Sequence, residues 1–223
     1  MRKGTNLLTM CIAGLASTIG IVAFFAWLPS LSPRATVAGA SWIANPGFEG
    51  EFTELEQWLS IADGWELWYA TDGGEDGIAA PKAFQENTRV REGLQSQHVR
   101  AQNDGSIFDA CLYQQVTGIT VGEYIRFSAW AYVDAHDDLN SEEKWQTRVG
   151  IDPDGGTDPR DINYYLYPSL WDSVTEKGRW QHLSVVIKAT SPTATAYACA
   201  HPIWRYSFHV FWDDTEFAIS SEK

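Results

Sequence analysis

Basic residues are scarce in this chain: 16 lysines and arginines stand against 29 aspartates and glutamates in 223 residues, a formal charge of −13. Arg2, Lys3 and Arg34 fall within the first 40 residues, which hold no acid, so the remainder carries 13 bases and a charge of −16. Such a surface repels nucleic acid and anionic lipid; it suits neutral glycans, bound cations or a basic partner. Catalytic signatures are also missing. There is no Gly-x-Ser-x-Gly elbow, no His-Glu-x-x-His and no phosphate loop. His98, His136, His182, His201 and His209 show no metal-ligand spacing. Paired carboxylates for glycoside hydrolysis stay open, because 29 acids always offer pairs. Cysteine is sparse: Cys11 lies in the apolar N-terminal stretch, and Cys111 and Cys199 lie beyond it. That last pair reads either as a disulfide closing a long loop or as two separate buried thiols. No amphipathic helix of useful length, internal repeat or low-complexity tract follows residue 40.

The long uncharged run is Leu7–Leu31, preceded by Arg2 and Lys3. At about 1.5 Å per residue it is long enough to span a bilayer, and longer than the roughly 7–15-residue core of a secretory signal. Yet Ala38-Gly39-Ala40 has the small-x-small form of a cleavage site. Residues 1–40 are therefore read as a signal anchor or signal peptide plus a Pro33–Ala40 linker. Both readings leave Arg2 and Lys3 in the cytoplasm and residues 41–223 outside it. Length favours a retained single-pass anchor; cleavage after Ala40 would give a secreted domain. Ala13 with Ser17, and Ala16 with Gly20, have the small-xxx-small spacing that lets transmembrane helices pack.

The rest reads as strands separated by turns. In Tyr124–Val133, Ile125, Phe127, Ala129, Ala131 and Val133 take one face, the core face by period-two logic. The other face holds Tyr124, Arg126, Ser128, Trp130 and Tyr132, where small polar residues are the norm. Trp180–Ala189 alternates likewise, and Leu112–Val116 and Phe208–Phe217 read as further strands. Glu51–Ile61 reads as one short helix. The fold class expected is all-β, a β-sandwich preceded by an N-terminal transmembrane or signal helix.

The order of landmarks is Asn45-Pro46-Gly47-Phe48-Glu49, Gly64-Trp65, Arg91–Ser96, Leu112–Val116, Gly122-Glu123-Tyr124 with Phe127–Trp130, Val149–Pro153, Trp180-Gln181, and Phe211-Trp212-Asp213-Asp214. This set resembles the carbohydrate-binding-module-like, galactose-binding-like jelly roll of bacterial surface and secreted proteins, across nearly all of 41–223. The resemblance implies a structural calcium joining the first and last strands, held by Glu49, Asp213 and backbone carbonyls. Asp213 is chosen over Asp214 as sharing a buried face with Phe211 and Phe217. The alternative is that Glu49 and Asp213 bond backbone amides with no metal. The loop that opens with Asp152–Asp158 departs from a calcium loop at Gly156, Thr157 and Asn163 and reads as a turn. Asp134, Asp137, Asp138, Glu142 and Glu143 read as a solvated acidic loop.

Proteins meet the flat apolar faces of sugars with aromatic plates edged by polar groups. Trp65, Trp68, Trp130, Tyr132, Trp145 and Trp171 are the candidate plates, with Tyr69 and Tyr164, Tyr165 and Tyr167 nearby. Core packing competes for each of them, but one small sandwich cannot bury them all. The reading is an outward-facing, non-catalytic carbohydrate-binding-like module. The alternative is an accessory subunit of a cell-envelope or membrane complex that uses the jelly roll for protein contacts. A jelly-roll polysaccharide hydrolase or lyase is third.

Overall fold

Period-two alternation organises the described residues into twelve strands. The computed structural model describes residues 42–70, 78–102, 106–135, 145–203 and 207–221. The N-terminal membrane or signal helix, the cleavage motif, and Asp137, Asp138, Glu142 and Glu143 lie outside the described residues. The strands are β1 (Phe52–Glu56), β2 (Leu59–Ala62), β3 (Glu66–Tyr69), β4 (Lys82–Glu86), β5 (Ser96–Arg100) and β6 (Ala110–Thr117). They continue as β7 (Tyr124–Ala135), β8 (Thr147–Asp152), β9 (Trp171–Ser173), β10 (Trp180–Lys188), β11 (Thr193–Ala200) and β12 (Phe208–Ile219). A seven-stranded sheet has the order β1-β2-β4-β5-β12-β7-β10, and a five-stranded sheet the order β3-β6-β11-β8-β9. Both are antiparallel apart from a short parallel contact of β2 with β4.

The core lies between the sheets. From β7 it takes Ile125, Phe127, Ala129, Ala131 and Val133, all fully buried. Strand β12 adds Phe208, Val210, Trp212 and Phe217. Facing them, β11 buries Ala194, Ala196, Ala198 and Ala200 in the same cluster. Small residues on one sheet leave room for large ones on the other, which lets two tryptophans, Trp145 and Trp212, sit in a close-packed interior.

Two sequence expectations give way. Glu51–Ile61 is no helix but β1, a turn and β2, paired from Phe52↔Ala62 to Glu56↔Leu59. Leu59 and Ile61, two residues apart, are both buried, and Trp58 takes a positive φ of 71° between the strands. Period two at Leu59 and Ile61 outweighs the helical spacing of Leu55 with Leu59. The second case is β12. Its pairing with β7 slips between Asp213 and Glu216, a β-bulge at which Asp214 takes φ 44°. One extra residue reverses the faces beyond it. Asp213 thus shares the outer face with Phe211, whereas Phe217 points into the core.

Cys111 of β6 and Cys199 of β11 are directly paired across the five-stranded sheet and form a disulfide, with Cα atoms 4.0 Å apart. Of the two sequence readings, the bridge is the one realised.

Candidate binding surfaces

The six candidate plates divide three ways. Trp65 is 6% exposed and Trp145 1% exposed, so both are core residues and are withdrawn as ligand plates. The Trp65 indole stacks on Phe48 and donates to the Asn45 carbonyl, 3.1 Å away. Trp145 donates from its indole to the Val174 carbonyl at 3.5 Å. Each sits just before a strand, where alternation gives no face. Trp130 and Tyr132 lie on the outer face of the seven-stranded sheet. Trp68 and Trp171 lie on the outer face of the five-stranded sheet, so the two pairs cannot serve one ligand.

On the seven-stranded face an aromatic belt crosses β4, β5, β12, β7 and β10. Register places Phe84 beside His98, His98 beside Phe211, Phe211 beside Tyr132, and Tyr132 beside Trp180. Successive ring centroids are 5.9, 4.4, 6.0 and 5.7 Å apart. Two arginines of the β4–β5 connection lie over it. Arg89 stacks on Tyr132 at 4.1 Å, and Arg91 on Trp130 at 4.3 Å. Tyr132 in the belt and Trp130 beside it are therefore each covered by a guanidinium group.

His98 in this belt contacts His209, Nε2 to Nδ1, at 2.9 Å. Burial, and then the neighbouring His209, push the His98 pKa down to about 3. The unfolded imidazole titrates near 6.5, so the unfolded state binds the extra proton between about pH 3 and 6.5. Stability from this group is complete above the unfolded value and is lost as pH falls from there, by up to about 1.4 kcal/mol per pH unit. Asp213 acts in the opposite sense, since burial raises its pKa to about 6. Its contribution is full below the unfolded value and fades as pH rises through about 6. The expected result is that His98→Phe flattens the acid limb of a Tm-against-pH curve relative to the unaltered protein. An identical limb would assign that limb to other groups.

On the five-stranded face there is a cleft of about 340 Å³, a volume typical of small-ligand sites. The Cys111–Cys199 bridge, Trp171, Tyr164, Arg148, Gln146, Asp109 and His201 line it. Trp171 is held as a plate: its Nε1 donates to the Ile162 carbonyl at 2.7 Å, and its ring lies against Gly150. A Cβ on Gly150 would fall well inside contact distance of that indole. Gly150→Ala should therefore tilt Trp171 and weaken any ligand stacked there by about tenfold, or about 1.4 kcal/mol, with little change in Tm. Titration of that variant checks it. Polar groups edge the plate. Arg148 donates to Gln146 Oε1 at 2.7 Å and has the Tyr164 ring 4.0 Å from its guanidinium carbon. His201 Nδ1 meets Asp109 at 3.2 Å. Trp68 lies further along this face, in the cluster of Tyr113, Tyr197 and Trp171, with Arg160 5.1 Å above its ring.

Glu49 and Asp213 reach one segment from two sides. Glu49 Oε1 accepts from the backbone N–H of Leu94 and Gln95, at 2.7 and 3.1 Å. Asp213, fully buried, accepts from the N–H of Arg91, Glu92 and Asp214. Gly93, at φ 72°, leaves room where a Cβ would collide with the Glu49 carboxylate. Thr215 donates through both its N–H and its hydroxyl to the Pro46 carbonyl, tying the Asn45–Glu49 segment to the β12 bulge. The two carboxylates suit a hard cation in charge. They form a short ligand set, since among the described residues no three Asp, Glu, His or Cys side chains converge on one point. A calcium there would need carbonyl or water oxygens for the remainder. The Asp152 turn is closed by its own backbone: Asp152 accepts from the N–H of Asp154 and Gly156.

Arg148, Asp109 and His201 were not among the sequence candidates. The signal present was an arginine and a glycine on the outward positions of a strand whose inward residues are Val149 and Ile151. It is too slight to read without the neighbouring strands.

No protein-family model matches the chain, and no curated sequence matches it. Solved structures do. The carbohydrate-binding module TmCBM61, determined in complex with β-1,4-galactotriose, superposes with a TM-score of 0.52 at 17% identity, over 81% of this chain and 99% of that one. The enzymatically active domain of bacteriophage CBA120 tailspike protein 4 gives 0.52 at 12% identity, over 81% of this chain and 21% of that one. A cyclase from Fischerella sp. TAU gives 0.49 at 17% identity, over 81% of this chain and 96% of that one. The chain thus has the β-sandwich fold found in carbohydrate-binding modules, as its landmarks imply, at identities that speak for the fold alone.

Proposed function

We propose that this protein is a non-catalytic carbohydrate-binding module that holds a glycan in the cleft on the outer face of its five-stranded sheet. The observation that carries this reading is a concave site with an anchored Trp171 plate edged by Arg148, Gln146, Asp109 and His201. That is the pairing of flat apolar surface and directional polar groups that a sugar ring needs. Trp171 is the stacking plate, with Tyr164 and Trp68 extending the surface. The shared fold with TmCBM61 favours the same class of ligand. Against hydrolysis, glycosidases use two carboxyl groups, and Asp109 is the one acid among the described residues lining the cleft. The test is a glycan array probed with the full-length protein and with Trp171→Ala. Binding to a glycan class that the variant loses supports the reading; a well-folded protein that binds no glycan sinks it.

The domain is proposed to work outside the cytoplasm, held by residues 1–40 as a single-pass anchor or released by cleavage after Ala40. A structural calcium is proposed at Glu49 and Asp213, where it would offset two carboxylates and brace the β12 bulge. Adding calcium to the chelator-treated protein should raise its Tm, and Glu49→Gln should remove that rise.

The accessory-subunit reading rests on one specific observation, the aromatic belt on the seven-stranded sheet. Five rings in line with two arginines have the composition of a protein interface. Cross-linking of the full-length protein in membranes, lost in Trp180→Glu, would favour it.

A further inference from the structure

Arg148 is an unusual residue for this chain. It is 8% exposed, the deepest of the described arginines, and lies on β8 against the cleft. Arg89, Arg91, Arg126, Arg160 and Arg179 each have a carboxylate partner, Asp134, Glu92, Glu216, Asp158 and Glu176 respectively. Arg100 and Arg148 have none within ion-pair distance among the described residues, and Arg100 is only half-buried, against Phe84. A buried cation without a counter-ion is costly, and burial lowers the Arg148 pKa accordingly. In a protein with 29 acids, an acid could readily have been placed beside it. Asp109 lines the same cleft, and its carboxylate meets His201 Nδ1.

The guanidinium is also pre-organised. Tyr164 covers its face at 4.0 Å, and Gln146 holds Nη2 at 2.7 Å. The planar fork is thereby fixed in the wall of the cleft. A fixed fork matches a carboxylate through two parallel N–H···O bonds, which a hydroxyl cannot reproduce. The Trp171 plate stands on the same wall, its ring centroid 5.9 Å from the Arg148 guanidinium carbon.

We propose that the glycan held in this cleft is acidic: it presents a uronic acid residue whose carboxylate accepts a bidentate pair of hydrogen bonds from Arg148 while the sugar ring stacks on Trp171. This deepens the glycan-binding reading and rests on it. The formal charge of −13 repels polyanions. The fitting ligand is thus an otherwise neutral chain carrying a single uronate, at a branch or an end, rather than a polyuronate.

The experiment compares matched oligosaccharides by calorimetry on the full-length protein: xylo- and galacto-oligosaccharides capped with glucuronic or galacturonic acid, and the same compounds with the carboxyl reduced to the alcohol. The acidic member of at least one pair should bind ten- to a hundredfold more tightly than its reduced twin. Arg148→Gln should bring that ratio close to one, and Arg148→Lys should restore part of it. The twin comparison on the unaltered protein needs no variant, so it stands even if Arg148→Gln fails to fold. Equal binding of acid and reduced twins, with loss in Trp171→Ala, would overturn the uronate assignment and leave the glycan site standing. A ratio unchanged in Arg148→Gln would also overturn it. No binding by any compound would overturn both.

Discussion

Removing the Cys111–Cys199 bridge should lower the free energy of unfolding by about 4.5 kcal/mol. The bond closes a loop with a sequence separation of 88, and in the chain-entropy description a loop of that size is worth somewhat less than the roughly 4.7 kcal/mol of a 100-residue loop. For a domain of this size each kcal/mol is about 2–4 °C in Tm, so the double variant Cys111→Ala, Cys199→Ala should melt roughly 9–18 °C lower. Reductant should reproduce the shift in the unaltered protein and do nothing to the variant. The bridge also floors the cleft and packs in one cluster with Trp68, Trp171 and Tyr197. Its loss should therefore weaken ligand binding as well. A Tm indifferent to both treatments would mean that β6 and β11 are held fully by their sheet pairing.

Trp171→Ala should reduce glycan affinity by ten- to a hundredfold or more. Stacking of a flat ring on an aromatic plate is worth about 1–3 kcal/mol where it has been measured for bases, and a central anchor in a desolvated pocket can exceed 2 kcal/mol. Trp171 meets the conditions for the upper part of that range. Its ring has one orientation, fixed by the Ile162 carbonyl on one edge and by Gly150 beneath. Little side-chain entropy is then lost when a ligand arrives. Trp171 is only half-buried, so truncation should cost far less stability than truncating Trp145 or Trp212. Calorimetry beside a thermal melt separates the two effects: affinity should fall while Tm moves by a few degrees at most.

Much of the architecture was legible because inward faces are chemically uniform. Strand β7 runs Ile125, Phe127, Ala129, Ala131, Val133 without interruption, and it became the centre of the larger sheet, between β12 and β10. Its outward face was legible too, since Trp130 and Tyr132 break the rule of polar outsides. What they meet was not: Arg89 and Arg91 arrive from a loop some forty residues earlier and cap them. The β12 bulge was hidden because one extra residue leaves no mark on composition while exchanging the faces of Asp213 and Phe217. Trp65 and Trp145 misled for a related reason. A tryptophan at the mouth of a strand has no alternation to declare its side, and both turn inward to bond backbone carbonyls.

The cleft was the least legible part. Asp109, Arg148, Trp171 and His201 come from four separate stretches, and each is unremarkable where it stands in sequence. They meet because β6, β11, β8 and β9 are neighbours in one sheet, an order that runs against chain order. The landmark Asn45–Glu49 and the closing Phe211–Asp214 were easier, because their residue order carries the resemblance to a jelly roll. Glu49 and Asp213 do converge on the segment 91–95, through backbone amides.

The decisive measurement is a calorimetric titration of one array-selected oligosaccharide into three proteins: the unaltered chain, Trp171→Ala and Trp130→Ala. The two tryptophans stand on opposite sheets, so the comparison asks which face holds the sugar. Binding that survives in Trp130→Ala and is lost in Trp171→Ala is the result expected from a glycan site in the five-stranded cleft. Binding that survives in Trp171→Ala and is lost in Trp130→Ala would contradict that claim and move the site to the aromatic belt.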